Sequence, residues 1–403
     1  MINPTIVCVL GAHRSGTSLV TRVLNLLGMH LGPRKHLMPP ADWNPTGYWE
    51  HRQIEELNNT ILERLGGKWY EPPIFPQRWE NSSELDDLRQ RAHAIIQEDF
   101  ATAKVWGWKN PQTCLTLPFW QQLLPTMRYV ICLRHPIDVA RSLEYRKGCS
   151  LEKGIYLWLL YIKSALEYTT GHPRRLIFYE YLLANWQHDL QHLAEFLGNP
   201  ELAKQTDIEN AIREFINPRL QHYCSFKTGR DYEANHLSKA IDMAHWVYLN
   251  LKDVQDSQQD LILQLIKEAL QALTPEIERQ KREAHNKWMK QVSMALKEIG
   301  NFIPDGESFI LVDDGQWQTS ESIAGRRRIP FIERDGQYWG VPPDDATAIS
   351  ELDRLRRSGA SFIVFGWPAF WWFDYYTEFH KYLRSKFTCI LENSRLITFD
   401  LQR

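Results

Sequence analysis

The chain has 403 residues, with 47 Lys plus Arg against 49 Asp plus Glu and a net charge of -2. Its 43% hydrophobic and 24% charged residues are the balance of a soluble globular protein of two or three folding units, which excludes extensive disorder and a globally basic nucleic-acid binder. The longest apolar stretch, residues 154–162, falls far short of the ~20 residues of a membrane span. Six cysteines without a CxxC pair, and no basic region ahead of the first strand, predict a cytoplasmic protein without a disulfide framework or zinc site.

Four short apolar runs predict strands buried on both faces: residues 5–10 (TIVCVL), 104–108 (KVWGW), 128–133 (RYVICL) and 175–179 (RLIFY). Helical sequence lies between them, beginning with residues 19–27 and with a helix carrying Ile54, Leu57 and Ile61. Residues 1–230 therefore read as an α/β domain, a P-loop-type doubly wound and mostly parallel sheet, whose ligands bind beyond the C-terminal strand ends. Residues 231–300 read as a helical connector in which Pro275 interrupts an apolar stripe. Residues 301–307 read as a linker, and 301–403 as a small C-terminal α/β domain with strands at 309–312, 362–365 and 396–401 and a helix at 345–357. Arg326, Arg327 and Arg328 read as a solvated turn. The aromatic run from Trp367 to Tyr376 reads as core or seam, with an exposed docking patch as the alternative.

The most informative stretch is Gly11-Ala12-His13-Arg14-Ser15-Gly16-Thr17-Ser18, placed after the first strand and opening a helix. Backbone N–H groups in that setting hold an anion. The Gly-x4-Gly spacing of a P-loop is kept, but Thr17 stands where a nucleotide triphosphatase has Lys, and Arg14 supplies a cation inside the loop. The strand at 128–133 ends in Arg134 rather than in a magnesium-binding Asp, and Ser142 falls in the next helix. Arginine forks onto phosphate and cannot ligate a metal. The pattern predicts two separated oxyanions held without a divalent ion.

These two motifs, GAHRSGTS and RHPIDVARS, resemble the 5'-phosphosulfate loop and 3'-phosphate motif of the sulfotransferase superfamily, closest to its bacterial and carbohydrate-type members. The resemblance covers about residues 1–225. It implies 3'-phosphoadenylyl sulfate (PAPS) as donor, no metal, and a hydroxyl acceptor, which the carbohydrate-type pattern makes a saccharide. Carried onto this sequence, Arg14 contacts the sulfuryl group and bridging oxygen, while Gly11, His13, Ser15, Gly16, Thr17 and Ser18 form the 5'-phosphate loop. Arg134 and Ser142 hold the 3'-phosphate, and Tyr179 lies near the adenine. Leu19 stands where phenol-type enzymes place a stacking Trp, and Trp108-Lys109-Asn110-Pro111 lacks their histidine base.

The segment Tyr48-Trp49-Glu50-His51 resembles the one that supplies a glutamate base in carbohydrate-type relatives, making Glu50 the expected proton acceptor; the alternatives are a helix-opening role and His51 as base. Lys109 is expected to stabilise the transferring group, and His13 to contact or tune phosphate. Trp43, Tyr48, Trp49, Trp69, Tyr70 and Trp79 are stacking faces for an acceptor, or core. An ATP-dependent kinase with a variant P-loop and a non-catalytic nucleotide-binding scaffold are the competing readings.

Overall fold

The computed structural model describes residues 4–41, 46–216, 238–251, 259–317, 322–323 and 325–402. Trp43, Cys224 and the expected boundary at 230/231 lie outside them. The chain divides into two compact units, Met1–Ile277 and Glu278–Arg403.

The first unit is built on four parallel strands in the order β2-β1-β3-β4: β1 (Thr5–Leu10), β2 (Val105–Lys109), β3 (Arg128–Leu133) and β4 (Arg174–Phe178). The near-continuous apolar runs are explained by two-sided burial, since successive side chains point to opposite faces. Ile6, Cys8, Leu10, Trp108 and Ile131 enter one core, and Val7, Val9, Val130, Cys132 and Ile177 the other.

Helices cover both faces. Toward the first core lie α2 (Arg52–Arg64), α3 (Asp86–Asp99), α4 (Thr113–Leu123), α5 (Pro136–Lys147) and α6 (Leu151–Tyr168). Toward the second lie α1 (Thr17–Leu26), α7 (Tyr179–Leu197) and α8 (Thr206–Phe215). This is the doubly wound α/β fold expected, and it brings the β1–α1, β2–α4, β3–α5 and β4–α7 connections to the C-terminal edge of the sheet.

The expected connector does not form a separate body. Helix α9 (Ser238–Asn250) puts Ile241, Ala244, Val247 and Tyr248 into the first core, and α10 (Gln259–Phe302) adds Ile262, Ile266, Ala269 and Leu273. Pro275 does not break α10, contrary to the sequence reading. Leu273 and Ile277 are buried on either side of it, and continuing that apolar stripe outweighs the roughly 3 kcal/mol of an internal proline.

The second unit holds a six-stranded mixed sheet in the order β11-β12-β10-β5-β7-β6. Its strands are β5 (Ser308–Val312), β6 (Ser322–Ile323), β7 (Arg326–Pro330), β10 (Ala360–Gly366), β11 (Thr388–Glu392) and β12 (Leu396–Asp400), with a two-stranded β8 (Glu333–Arg334) and β9 (Gln337–Tyr338) beside it. Helices α11 (Asp345–Arg357), α12 (Trp372–Tyr375) and α13 (Thr377–Lys386) belong to it, as does the C-terminal part of α10, whose Val292, Ala295 and Ile299 pack with Phe309 and Leu311. The arginine triplet is strand β7, not a turn. Arg326 is buried, donating to Gly300 O (2.7 Å) and Ile303 O (2.6 Å), so it satisfies carbonyls at the end of α10. The aromatic run divides by face: Trp372 and Tyr376 are buried, while Trp371 and Tyr375 are 41% and 67% exposed. Among the described residues no helix is long and apolar enough to cross a membrane, and the five described cysteines are unpaired thiols.

Strand β2 approaches β1 so closely at Gly107 that a Cβ there would lie 1.9 Å from Val7 O. Gly107→Ala should lower the stability of the first unit by about 1–3 kcal/mol, read from urea unfolding followed by tryptophan fluorescence. An unshifted midpoint would contradict this strand approach.

Candidate active site

The β1–α1 loop owes its shape to backbone conformations that most residues avoid. Gly11 (φ 144°) and Gly16 (φ 81°) are left-handed, as is Arg14 (φ 71°). A Cβ on Gly11 would lie 2.6 Å from Cys132 O, and one on Gly16 would strike the Tyr179 ring at 2.2 Å. Tyr179, at the start of α7, is thereby seated directly on the loop. No side chain caps the N-terminus of α1, so its first amides remain available to an anion. Ser15 Oγ is buried without a hydrogen-bond partner.

The cations converge from separate elements. Arg14 Nε donates to Ser142 Oγ (2.9 Å), which joins the loop to α5. Arg134, at the end of β3, donates to Arg14 O (3.1 Å), and its guanidinium lies over the Tyr179 ring, 4.8 Å from the centroid. Arg146 reaches the Tyr48 hydroxyl at 3.3 Å. Burial pulls the Arg14 pKa below its ordinary value, and the charges of Arg146 and Arg134 add to the effect. The fold holds like charges together, an arrangement that an anion relieves.

Glu50 and Lys109 form the other half of the site. Lys109 is 1% exposed and Glu50 8%. Lys109 Nζ pairs with Glu50 Oε1 and also donates to Ser18 Oγ (3.2 Å), while Asn110 donates to Glu50 Oε2 (2.8 Å). Asn110 is fixed in turn by Asn58, whose Nδ2 donates to Asn110 Oδ1 (3.0 Å) and Thr113 Oγ1 (3.0 Å). Thr116 and Trp120 donate to Asn58 Oδ1 at 2.7 and 2.9 Å. Glu50 precedes the N-cap of α2, yet its carboxylate is committed to this network rather than to the helix end.

The remaining candidates are dispersed. His51 turns away from Glu50: its Nε2 lies 2.7 Å from Asp99 Oδ2, which also meets His36 Nδ1 at 2.7 Å. This is the one metal-ligand-like cluster among the described residues, and its spacings are those of hydrogen bonds. Trp49 packs beneath Arg22 (4.4 Å) and beside Phe215, and Trp79 is core. Trp69 packs against His13 at a tilt, with ring centroids 4.3 Å apart, and meets Tyr70 edge-on.

Residues whose contacts carry no sequence signal complete the surroundings. Glu180 accepts from His135 N (2.9 Å) and from the Tyr248 hydroxyl (2.6 Å), and His135 shares a 2.8 Å hydrogen bond with His245 of α9. These partners are remote in sequence, so no local motif announces their pairing; of this group only His135, second in the RHPIDVARS motif, had a signal that pointed here.

Residues 4–204 match the sulfotransferase family, and this part of the chain belongs to it. No curated protein matches the chain. Among solved structures, the sulfotransferase domain of the Synechococcus PCC 7002 olefin synthase is 16% identical, over 63% of this chain and 97% of that one, with a TM-score of 0.37. A Mycobacterium avium sulfotransferase is 15% identical, over 63% and 78%, with a TM-score of 0.36. Retinol dehydratase in complex with androsterone and the inactive cofactor PAP is 16% identical, over 67% and 82%, with a TM-score of 0.31.

Two consequences are measurable. Lys109→Met leaves the Glu50 carboxylate buried without its cation and should cost about 3–5 kcal/mol, part of which Glu50→Gln restores on the same background; additive losses in a double-mutant cycle would refute the coupling. Histidines 13 and 135 are held down to about 3 and about 4. Burial is the main cause for both; Lys109 and Arg14 add to it at His13, while at His135 Asp138 opposes it and His245 and Arg134 reinforce it. The unfolded chain takes up these protons near the usual histidine value of about 6.5, so stability falls as pH drops from there toward about 4. Thermal melts across that range should show the decline, and His135→Gln should flatten it.

Proposed function

We propose that the protein transfers the sulfuryl group of PAPS to a hydroxyl of a saccharide by in-line displacement without a metal ion. The observation that carries this reading is the convergence of Arg14, Ser142 and Arg134 on a P-loop with an uncapped helix N-terminus and a buried, unpartnered Ser15 hydroxyl. Family membership supports the reaction type. The loop residues Gly11, Ser15, Gly16, Thr17 and Ser18 hold the 5'-phosphate through amides and hydroxyls, and Arg134 and Ser142 hold the 3'-phosphate. Tyr179, packed against Gly16 and under Arg134, borders the adenosine.

In the chemical step the acceptor oxygen attacks sulfur, the bond from sulfur to the bridging oxygen breaks, and the electron pair leaves with the 5'-phosphate. Glu50 takes the proton from the attacking hydroxyl. Its protonation removes the negative partner of Lys109, so the ammonium charge is freed as negative charge grows on the leaving oxygen. Arg14 contributes a second cation there once a bound donor draws it from Ser142. The exposed part of Trp69 offers a stacking face for the acceptor. Unpaired cysteines in the described residues support a cytoplasmic setting.

Calorimetry should detect adenosine 3',5'-bisphosphate (PAP) binding without Mg2+, weakened at least about tenfold by Arg134→Ala, consistent with loss of charge-assisted bonds. Preference for ATP with Mg2+ would move the protein to the kinases. With PAPS as donor, Arg14→Ala should abolish transfer, and Glu50→Gln should cut turnover by about 10²–10⁴ while PAP affinity holds; full activity of Glu50→Gln would place the base elsewhere.

A further inference from the structure

His13 sits inside the anion loop, where a histidine would be expected to assist phosphate binding as a cation. Its surroundings oppose that. The ring packs against Trp69, with centroids 4.3 Å apart and planes tilted by 39°, and lies edge-on to Tyr161 at 5.6 Å. Tyr161, buried on α6, donates its hydroxyl to Trp69 O (2.8 Å), so the two aromatic walls are fixed to each other. Burial and the charges of Lys109, Arg14, Arg146 and Lys147 keep the imidazole neutral at physiological pH. Its Nε2 is buried and has no hydrogen-bond partner. An unpaired buried nitrogen costs free energy that a ligand's hydrogen bond recovers.

We propose that His13 is an acceptor-binding residue: Nε2 hydrogen-bonds a hydroxyl of the acceptor ring other than the reacting one, while the partly exposed Trp69 walls the same subsite and the buried Tyr161 fixes it from behind. The inference rests on the sulfuryl-transfer reading and specifies its acceptor side. The acceptor class is a pyranoside, because such a ring presents an apolar C–H face to an aromatic wall and hydroxyls along its edge. One loop thus serves both substrates, its amides and Arg14 the donor and its histidine ring the acceptor. This assigns His13 away from the phosphate contact that the loop's sequence suggests.

The test is transfer from PAPS to a panel of methyl α-D-glucopyranoside, methyl α-D-mannopyranoside and methyl N-acetyl-β-D-glucosaminide. His13→Phe keeps a ring against Trp69 and removes the nitrogen. It should raise KM for the accepted pyranoside about tenfold, with kcat within about twofold and PAP affinity by calorimetry unchanged. His13→Gln, which restores a polar atom near the position of Nε2, should recover most of the loss. An unchanged KM in His13→Phe with PAP binding intact would overturn the inference, as would a fall in kcat alone, or a wild-type enzyme that binds PAP and accepts no pyranoside of the panel. Loss of PAP affinity in both variants would return His13 to the donor side. A wild-type protein that does not bind PAP would instead remove the sulfuryl-transfer reading, and this inference with it.

Discussion

The constraint on which the site depends is the burial of positive charge at one edge of a sheet. Arg14, Lys109 and Arg134 come from three different strand ends, and each is wholly or partly withdrawn from water. Desolvation disfavours the charged form of Arg14, and the nearby charges of Arg146 and Arg134 compound the effect. Glu50 balances Lys109 alone. The apolar cores on either face of the sheet supply free energy that holds these groups in place. A bound dianion would be stabilised by charges that are already in place, without waiting for side chains to reorganise.

Precision in that cluster comes from the layer behind it. Asn58 is fully buried and joins Asn110, Thr113, Thr116 and Trp120, so α2, α4 and the end of β2 move as one piece beneath Glu50. On the other side, Glu180 links the start of α5 to α9 through His135 N and Tyr248, while Trp158 donates to Arg134 O at 3.0 Å. The candidate site groups Glu50 and Arg134 are thus oriented by groups behind them, which is the usual way a site attains rigid geometry.

The first unit was legible because its information is local. Runs such as TIVCVL and RYVICL fold as strands within a residue of their expected limits, since burial on both faces needs an unbroken apolar run. The shape of the β1–α1 loop was readable because its left-handed turns require glycine at Gly11 and Gly16. What escaped was of longer range. The Asn58 network, the pairing of His135 with His245 and the packing of His13 against Trp69 join residues far apart in sequence. Strand β7 escaped for a related reason: three consecutive arginines resemble a solvated turn until the carbonyls of α10 claim Arg326. Pro275 misled because a local rule was read without the buried stripe that overrides it.

The loop's two sides explain how a single short segment serves a reaction between unlike partners. In the proposed reaction, backbone amides and arginines face a charged donor, for which low dielectric strengthens every contact. The His13 ring is withdrawn against Trp69 and Tyr161, where burial, reinforced by the cations that would grip a phosphate, keeps the imidazole neutral. A protonated histidine there would be repelled by Lys109 and Arg14 and would draw anions to the wrong side of the loop. Holding it neutral preserves a hydrogen-bonding atom without adding charge. The electrostatic field that binds one substrate thereby sets the chemistry offered to the other.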